Sequence, residues 1–299
     1  KHRKPFVNLP STRVLYGEEV RGCVVAKEGT KFVCSDLSAM ENIWKFNYQM
    51  PYDPEYVKSQ QSEDFDPHLS IALMGGLVTE DEVSFFKIVK EGFPKENYPQ
   101  TKRLLEMLSW DADKQNIEIK RISKVRAAGK GTNYSCQFGA AAPTVARTAK
   151  IDLSVAKTLV KSYKKMNWSI EPICNSLTKK KVSHGTYQLN PMNGMWYHLK
   201  KDRDSFSTLI QGSGSYLLDI WVAYIFNLRN KPEYDVKGGL RLIATVHDEN
   251  LQEFNDLEGN EETVRKLFDD ALAMANKRLA QEIPFGCDTQ TGYKYSEIH

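Results

Sequence analysis

At 299 residues, 41% apolar and 26% charged, with a formal net charge of +3, the chain reads as a soluble globular protein. It is long enough to bury a substantial core as one large domain or two. No apolar run approaches the roughly 20 residues of a membrane span; the longest candidate, 216–226, is cut by Asp219, which excludes a membrane partner.

No signal peptide is visible, and Lys rather than Met at the first position reads as the trimmed or processed end of something longer. Cys23, Cys34, Cys136, Cys174 and Cys287 are an odd number, widely spaced, with no C-x-x-C pair. This weighs against a disulfide framework or a zinc cluster and fits a reducing cytoplasm. The small net charge hides four basic clusters, at 120–130, 161–165, 179–181 and 200–203. A charge run is ordinarily a solvated face, but four against a near-neutral total point to a polyanionic partner.

In chain order, GCVVAKEGTKFVCSD at 22–36 gives two strand-like pieces around the Glu28-Gly29 turn, the second ending at Asp36. The pattern turns helical over 37–45. SEDFDPHLSIALMGG at 62–76 offers an Asp-Pro helix start and a Gly-Gly stop. Helical periodicity returns in VSFFKIVKEGF and TKRLLEMLSW, then over 126–138 and 153–166. GTYQLNPMNGMWYHL at 185–199 predicts short strands and turns, followed by a long helix over about 204–228. A strand then runs into His247-Asp248-Glu249, with a hairpin partner from Asn250. Asn260 is expected to cap a last helix with Val264, Leu267, Phe268 and Ala271 on its inner face. The predicted class is α+β, a small antiparallel sheet formed by both ends of the chain around a mostly helical insertion.

Within RLIATVHDEN at 241–250, Leu242, Ala244 and Val246 share a strand face and Asp248 follows in phase. A buried carboxylate costs several kcal/mol unless a metal, a partner or water meets it. Asp248 is therefore either the rim residue of an ordinary hairpin turn or a ligand. If the strands ending at Asp36 and Asp248 are neighbours, two carboxylates converge and repel unless cations sit between them. Mg²⁺ takes one or two protein carboxylates plus substrate phosphate oxygens, the donor set of two-metal phosphoryl transfer.

In RAAGKGTNYSCQFG at 126–139, Arg126, Lys130, Tyr134 and Phe138 recur every four residues, so a basic end and an aromatic end share one stripe. The cations could clamp a triphosphate while the aromatics meet a base or sugar. The ordinary alternative is an amphipathic helix with its aromatics in the core. Gly129 and Gly131 each weaken that helix by roughly 1 kcal/mol.

These segments resemble the DNA polymerase I family, or family A, and especially its bacteriophage members. DLSAMENIW at 36–44 is similar to the first palm motif, RAAGKGTNYSCQFG to the O-helix motif R-x3-K-x3-[FY]-x3-Y-G, and VHDE at 246–249 to the last palm motif. Lesser matches keep the same order: NLP at 8–10 with Arg13, DPH at 66–68, Arg203 with QGSGS at 211–215, and GYKYSEIH, which would make His299 the true end.

The resemblance implies the right-hand polymerase fold, with palm at 1–46 and 186–299, fingers at 47–185, and neither thumb nor exonuclease domain in this chain. It implies that Asp36 and Asp248 are the catalytic carboxylates and hold two Mg²⁺ ions with the Leu37 carbonyl. Glu41 would close the sugar pocket, His68, Arg126 and Lys130 would hold the triphosphate, and Tyr134, with Phe138 beyond it, would lie by the sugar and base. Asn8, Arg13, Arg203, Gln211, His247 and Glu249 would face the primer-template. The implied activity is template-directed addition of dNTPs to a DNA primer, with primer-template DNA, dNTPs and upstream domains or a processivity factor as partners.

Phe138, Ser207 and Tyr295 stand where the family usually has Tyr, often Asn, and Trp, and the segment between His68 and Arg126 is longer than usual. Three alternatives stay open. A single-subunit RNA polymerase is opposed by Glu41, which would crowd a 2′-hydroxyl. A polymerase-derived nucleic-acid-binding protein without catalysis is opposed by both aspartates. A Mg²⁺ nuclease has no need for the stripe from Arg126 to Phe138.

Overall fold

The computed structural model describes residues 9–12 and 14–298. Its helices are α1 (Gly17–Gly22), α2 (Met40–Gln49), α3 (Pro54–Ser59), α4 (Pro67–Met74), α5 (Glu80–Phe86), α6 (Lys102–Leu108), α7 (Ala112–Gln137), α8 (Ala142–Ala149), α9 (Leu153–Met166), α10 (Ile170–Ser176), α11 (Ser205–Leu228) and α12 (Asn260–Leu279). The strands are β1 (Thr30–Leu37), β2 (Lys179–Val182), β3 (Gly185–Leu189), β4 (Trp196–Leu199), β5 (Leu240–Val246), β6 (Glu249–Asn255) and β7 (Cys287–Gly292). They form a four-stranded sheet, β5-β6-β1-β7, and a three-stranded sheet, β2-β3-β4. The chain divides into two compact units, one of Lys1–Tyr48, Leu189–Tyr197 and Leu209–His299, the other of Gln49–Gln188 and His198–Thr208.

The first unit is organised by its antiparallel sheet, in which β1 lies between two strands from the far end of the chain. The run Phe32, Val33, Cys34 and Ser35 is buried throughout, as suits a central strand covered on both faces. Phe32 and Cys34 pack with Leu251, Tyr295 and Ile298. The indole N–H of Trp221 on α11 donates to the Phe268 carbonyl on α12 at 2.9 Å, fixing one helix against the other.

Three details of this unit depart from expectation. The apolar piece before Glu28 follows directly on α1, whose C-cap is Cys23, and makes only a bridge from Val25 to Lys294. β1 continues one residue past Asp36, and Asp248 lies in the turn after β5 rather than at the strand's end. Asn260 does not cap α12: Gly259, at φ 84°, holds that position, while the Asn260 carboxamide binds both backbone groups of Lys237 and the Asn255 carbonyl.

The second unit is mostly helical. Asp66 caps α4 through bonds from the amides of His68 and Leu69, as the Asp-Pro signal predicts. The insertion has its own core, in which Val78, Phe85, Phe86, Leu104, Met107 and Ile122 pack with Leu69. It also lengthens the helix carrying the stripe: α7 starts at Ala112, capped by Asp111, rather than at Arg126. A Cβ on Gly129 would lie 2.2 Å from the His68 carbonyl oxygen, so glycine's cost in helix propensity is the condition for α4 to approach α7 this closely. All four basic clusters lie in this unit, Lys179, Lys180 and Lys181 forming most of the exposed strand β2.

Candidate active site

In the first unit the β5–β6 hairpin closes through His247 and Asp248, with Val246 opposite Glu249. The hairpin reading of this segment and the rim reading of Asp248 therefore coincide. β6 pairs with β1 so that Asp36 faces Glu249, and the Leu37 amide donates to the Asp248 carbonyl at 3.1 Å. The structure thus brings the Asp36 and Asp248 segments together, with Asp36 exposed and Asp248 half-buried. His247, at φ 57°, and Ala39, at φ 49°, are two of five non-glycine residues with positive φ among the described residues, and they flank this edge. Such backbone is costly for side-chain-bearing residues and persists where the surroundings hold it.

Glu41, at the start of α2, belongs to the same neighbourhood. Burial first, and then the Asp248 carboxylate, push its pKa upward, while His247 opposes them. Glu249 is buried and accepts the Tyr295 hydroxyl at 3.1 Å; the Arg21 guanidinium lies 4.9 Å from that ring's centroid. Tyr295 thus provides a hydroxyl for the residue after Asp248. On its other side Asp36 faces Asp288 of β7, an acid the sequence reading missed because no motif covers it. Glu249, Asp36 and Asp288 thus stand in register across three strands, an arrangement of like charges that is unfavourable in a ladder unless other groups meet them. Among the described residues no group of three or more His, Cys, Asp or Glu side chains is arranged around one metal position. Asp36 and Asp248, at the solvent-facing end of these strands, nevertheless have the chemistry to fit an ion whose remaining ligands come from substrate phosphates and water.

In the second unit the stripe on α7 is exposed rather than packed in the core. Tyr134 is 47% and Phe138 41% exposed, and Phe138 is the residue that ends the helix instead of a helical member of the stripe. The Lys130 ammonium lies 5.9 Å from the Tyr134 ring centroid, and the His68 ring is 6.2 Å from it, centroid to centroid. Arg126 donates through Nε to Asp66 Oδ2 at 2.5 Å. His68, Arg126, Lys130 and Tyr134 are therefore gathered on the α4–α7 face. Asp66, buried beneath them, enters the sequence reading as a helix start and as the first residue of DPH, with no contact to Arg126 foreseen. Burial pushes its pKa up, but the Leu69 amide, Arg126 and the His68 amide outweigh this and hold it below the usual aspartate range.

The remaining assignments are dispersed. Arg203 is exposed in the second unit and lines a cavity of about 700 Å³ with Cys136, Gly139, Tyr163, Lys164 and Trp168. Gln211 is exposed in the first unit, on α11. Asn8, Arg13 and His299 lie outside the described residues.

The mixed helix-and-sheet architecture is an α+β fold. Among solved structures, the chain is similar to the polymerase domain of Pol1 from M. smegmatis in complex with DNA primer-template and dNTP, with a TM-score of 0.59 and 15% identity. The match covers 98% of this chain and 45% of that one. No family model and no curated protein matches the chain. The likeness therefore shows the fold. Among the described residues, no helix is long and apolar enough to cross a membrane.

Proposed function

We propose that this chain is the palm and fingers portion of a DNA polymerase of the polymerase I family, bacteriophage type, adding dNTPs to a primer 3′ end under template direction. The observation that carries this reading is the pairing of the Asp36 and Asp248 segments at one end of the sheet's strands, through Asp36 opposite Glu249 and Leu37 N–H to Asp248. The first unit is read as palm and the second as fingers. The structural neighbour, bound to DNA primer-template and dNTP, supports both partners.

In this reading Asp36, Asp248 and the Leu37 carbonyl hold two Mg²⁺ ions. Bound there, the metal would acidify the primer 3′-hydroxyl and neutralise charge on the triphosphate and the departing pyrophosphate. Arg126, Lys130 and His68 hold the triphosphate, and their cationic or donor groups meet its charge without needing to reorganise. Tyr134 and Phe138 offer aromatic faces to base and sugar, and Glu41 closes the sugar's 2′ side. His247, Arg203 and Gln211 are assigned to the primer-template, whereas Glu249, expected there from the motif, is buried against the Tyr295 hydroxyl and supports the turn from beneath.

Primer extension with four dNTPs or four rNTPs, in Mg²⁺, tests the reading. A template-dependent ladder with dNTPs supports it. Binding without extension would favour a nucleic-acid-binding protein, and an rNTP ladder an RNA polymerase. Strand cleavage without synthesis would favour a nuclease.

A further inference from the structure

Asp66 contacts two members of the phosphate-binding set at once. One carboxylate oxygen, Oδ1, accepts the amides of His68 at 2.8 Å and Leu69 at 3.0 Å; the other, Oδ2, accepts Arg126 Nε. The carboxylate is 6% exposed, and the Arg126 side chain is 38% exposed. An arginine held through Nε keeps both terminal Nη groups available, and these form the planar fork that meets two phosphate oxygens together. Gly129, one helical turn after Arg126 on α7, removes the side chain that would otherwise push the His68 backbone away. Buried Asp66 and small Gly129 thus fix α4 to α7 where His68 and Arg126 come together.

We infer that Asp66 is a positioning residue that orients Arg126 and His68 as a preformed anion clamp for a linear polyphosphate. This rests on the polymerase reading only for the identity of the ligand as a dNTP. Holding Arg126 by its inner nitrogen removes rotamer freedom before the ligand arrives, which lowers the cost of binding. The opposing possibility is physical too: the Asp66 carboxylate repels phosphate and could instead compete for Arg126. The sign of one substitution separates the two.

Asp66→Asn keeps an oxygen that can accept the His68 and Leu69 amides but loses the charged partner of Arg126. Inorganic tripolyphosphate, titrated calorimetrically without metal so that the carboxylate edge is silent, measures the clamp alone. Asp66→Asn and Arg126→Ala should each weaken binding about tenfold, on the order of one charge-assisted hydrogen bond. The double variant should bind no more weakly than Arg126→Ala, and Asp66→Asn should melt somewhat below wild type, since the lost charge stabilises the fold near neutral pH, while remaining folded at the titration temperature. Unchanged or tighter binding by Asp66→Asn, multiplicative losses in the double variant, or no binding by wild type would overturn the inference. Wild-type primer extension, run separately, reports on the polymerase reading: tripolyphosphate binding without extension would sink that reading and leave the clamp standing.

Discussion

The Leu37 amide and the Asp248 carbonyl are joined by a 3.1 Å hydrogen bond, linking the last residue of β1 to the hairpin turn between β5 and β6. Their sequence separation makes this a long-range contact that only the finished sheet can create. It ties the two carboxylate-bearing segments through backbone, so side-chain substitution at Asp36 or Asp248 can alter chemistry while leaving the tie in place.

Glu41→Ala should raise incorporation of rNTPs relative to dNTPs, because truncation leaves room for a 2′-hydroxyl. Its pH behaviour provides a control. With a raised folded pKa, Glu41 contributes stability fully below its unfolded pKa and loses it as pH rises through the folded value. Glu41→Gln, which cannot ionise, should therefore gain in melting temperature relative to wild type as pH rises from about 4 to about 7. An unchanged rNTP/dNTP ratio would remove Glu41 from the sugar pocket, and parallel melting profiles would contradict the upward shift that burial and Asp248 give it.

Tyr134 presents its ring beside His68 and Lys130 and is not part of the core. A dideoxynucleotide lacks the 3′-hydroxyl, and a nearby phenol can replace the lost hydrogen bond, a contact of about 0.5–1.5 kcal/mol. Tyr134→Phe should make the protein discriminate against ddNTPs by roughly 2- to 10-fold more than wild type, with little change for dNTPs or stability. Competition between ddNTP and dNTP in both proteins measures this; equal selectivity contradicts it.

Gly129→Ala sets two effects of opposite sign against each other. Helix propensity alone would stabilise by about 1 kcal/mol. Against that, the added methyl would sit 2.2 Å from the His68 carbonyl oxygen, a backbone atom of α4, and overpacking of this kind costs about 1–3 kcal/mol or more. The expected outcome is a lower melting temperature together with weaker tripolyphosphate binding, since α4 carries His68. A melting temperature equal to or above wild type would show that α4 moves aside freely.

The sequence was most legible where chemistry and backbone signals coincide. The Asp66-Pro67 helix start, the hairpin at His247-Asp248 and the four-residue recurrence from Arg126 to Tyr134 each carry a local geometric requirement. Asp66 was visible as a cap but not as the partner of Arg126, because a contact between α4 and the middle of α7 leaves no local pattern. Asp288 was hidden for the same reason: only strand pairing sets it opposite Asp36. The start of α7 was misjudged because the stripe begins at Arg126, whereas the helix begins at the Asp111 cap within the insertion. Asn260 has the composition of a cap, but tertiary bonds to Lys237 and Asn255 claimed its side chain.

The central claim, that Asp36 and Asp248 jointly serve metal-dependent nucleotidyl transfer, is tested most directly by single-turnover dNTP incorporation in Asp36→Asn and Asp248→Asn, with primer-template affinity measured on the same proteins. Affinity should stay near wild type because phosphate contacts elsewhere supply most of it. Incorporation should fall by at least about a thousandfold in each variant, as expected when a ligand of the reacting centre is removed. Incorporation by either variant at a rate comparable to wild type would contradict the account.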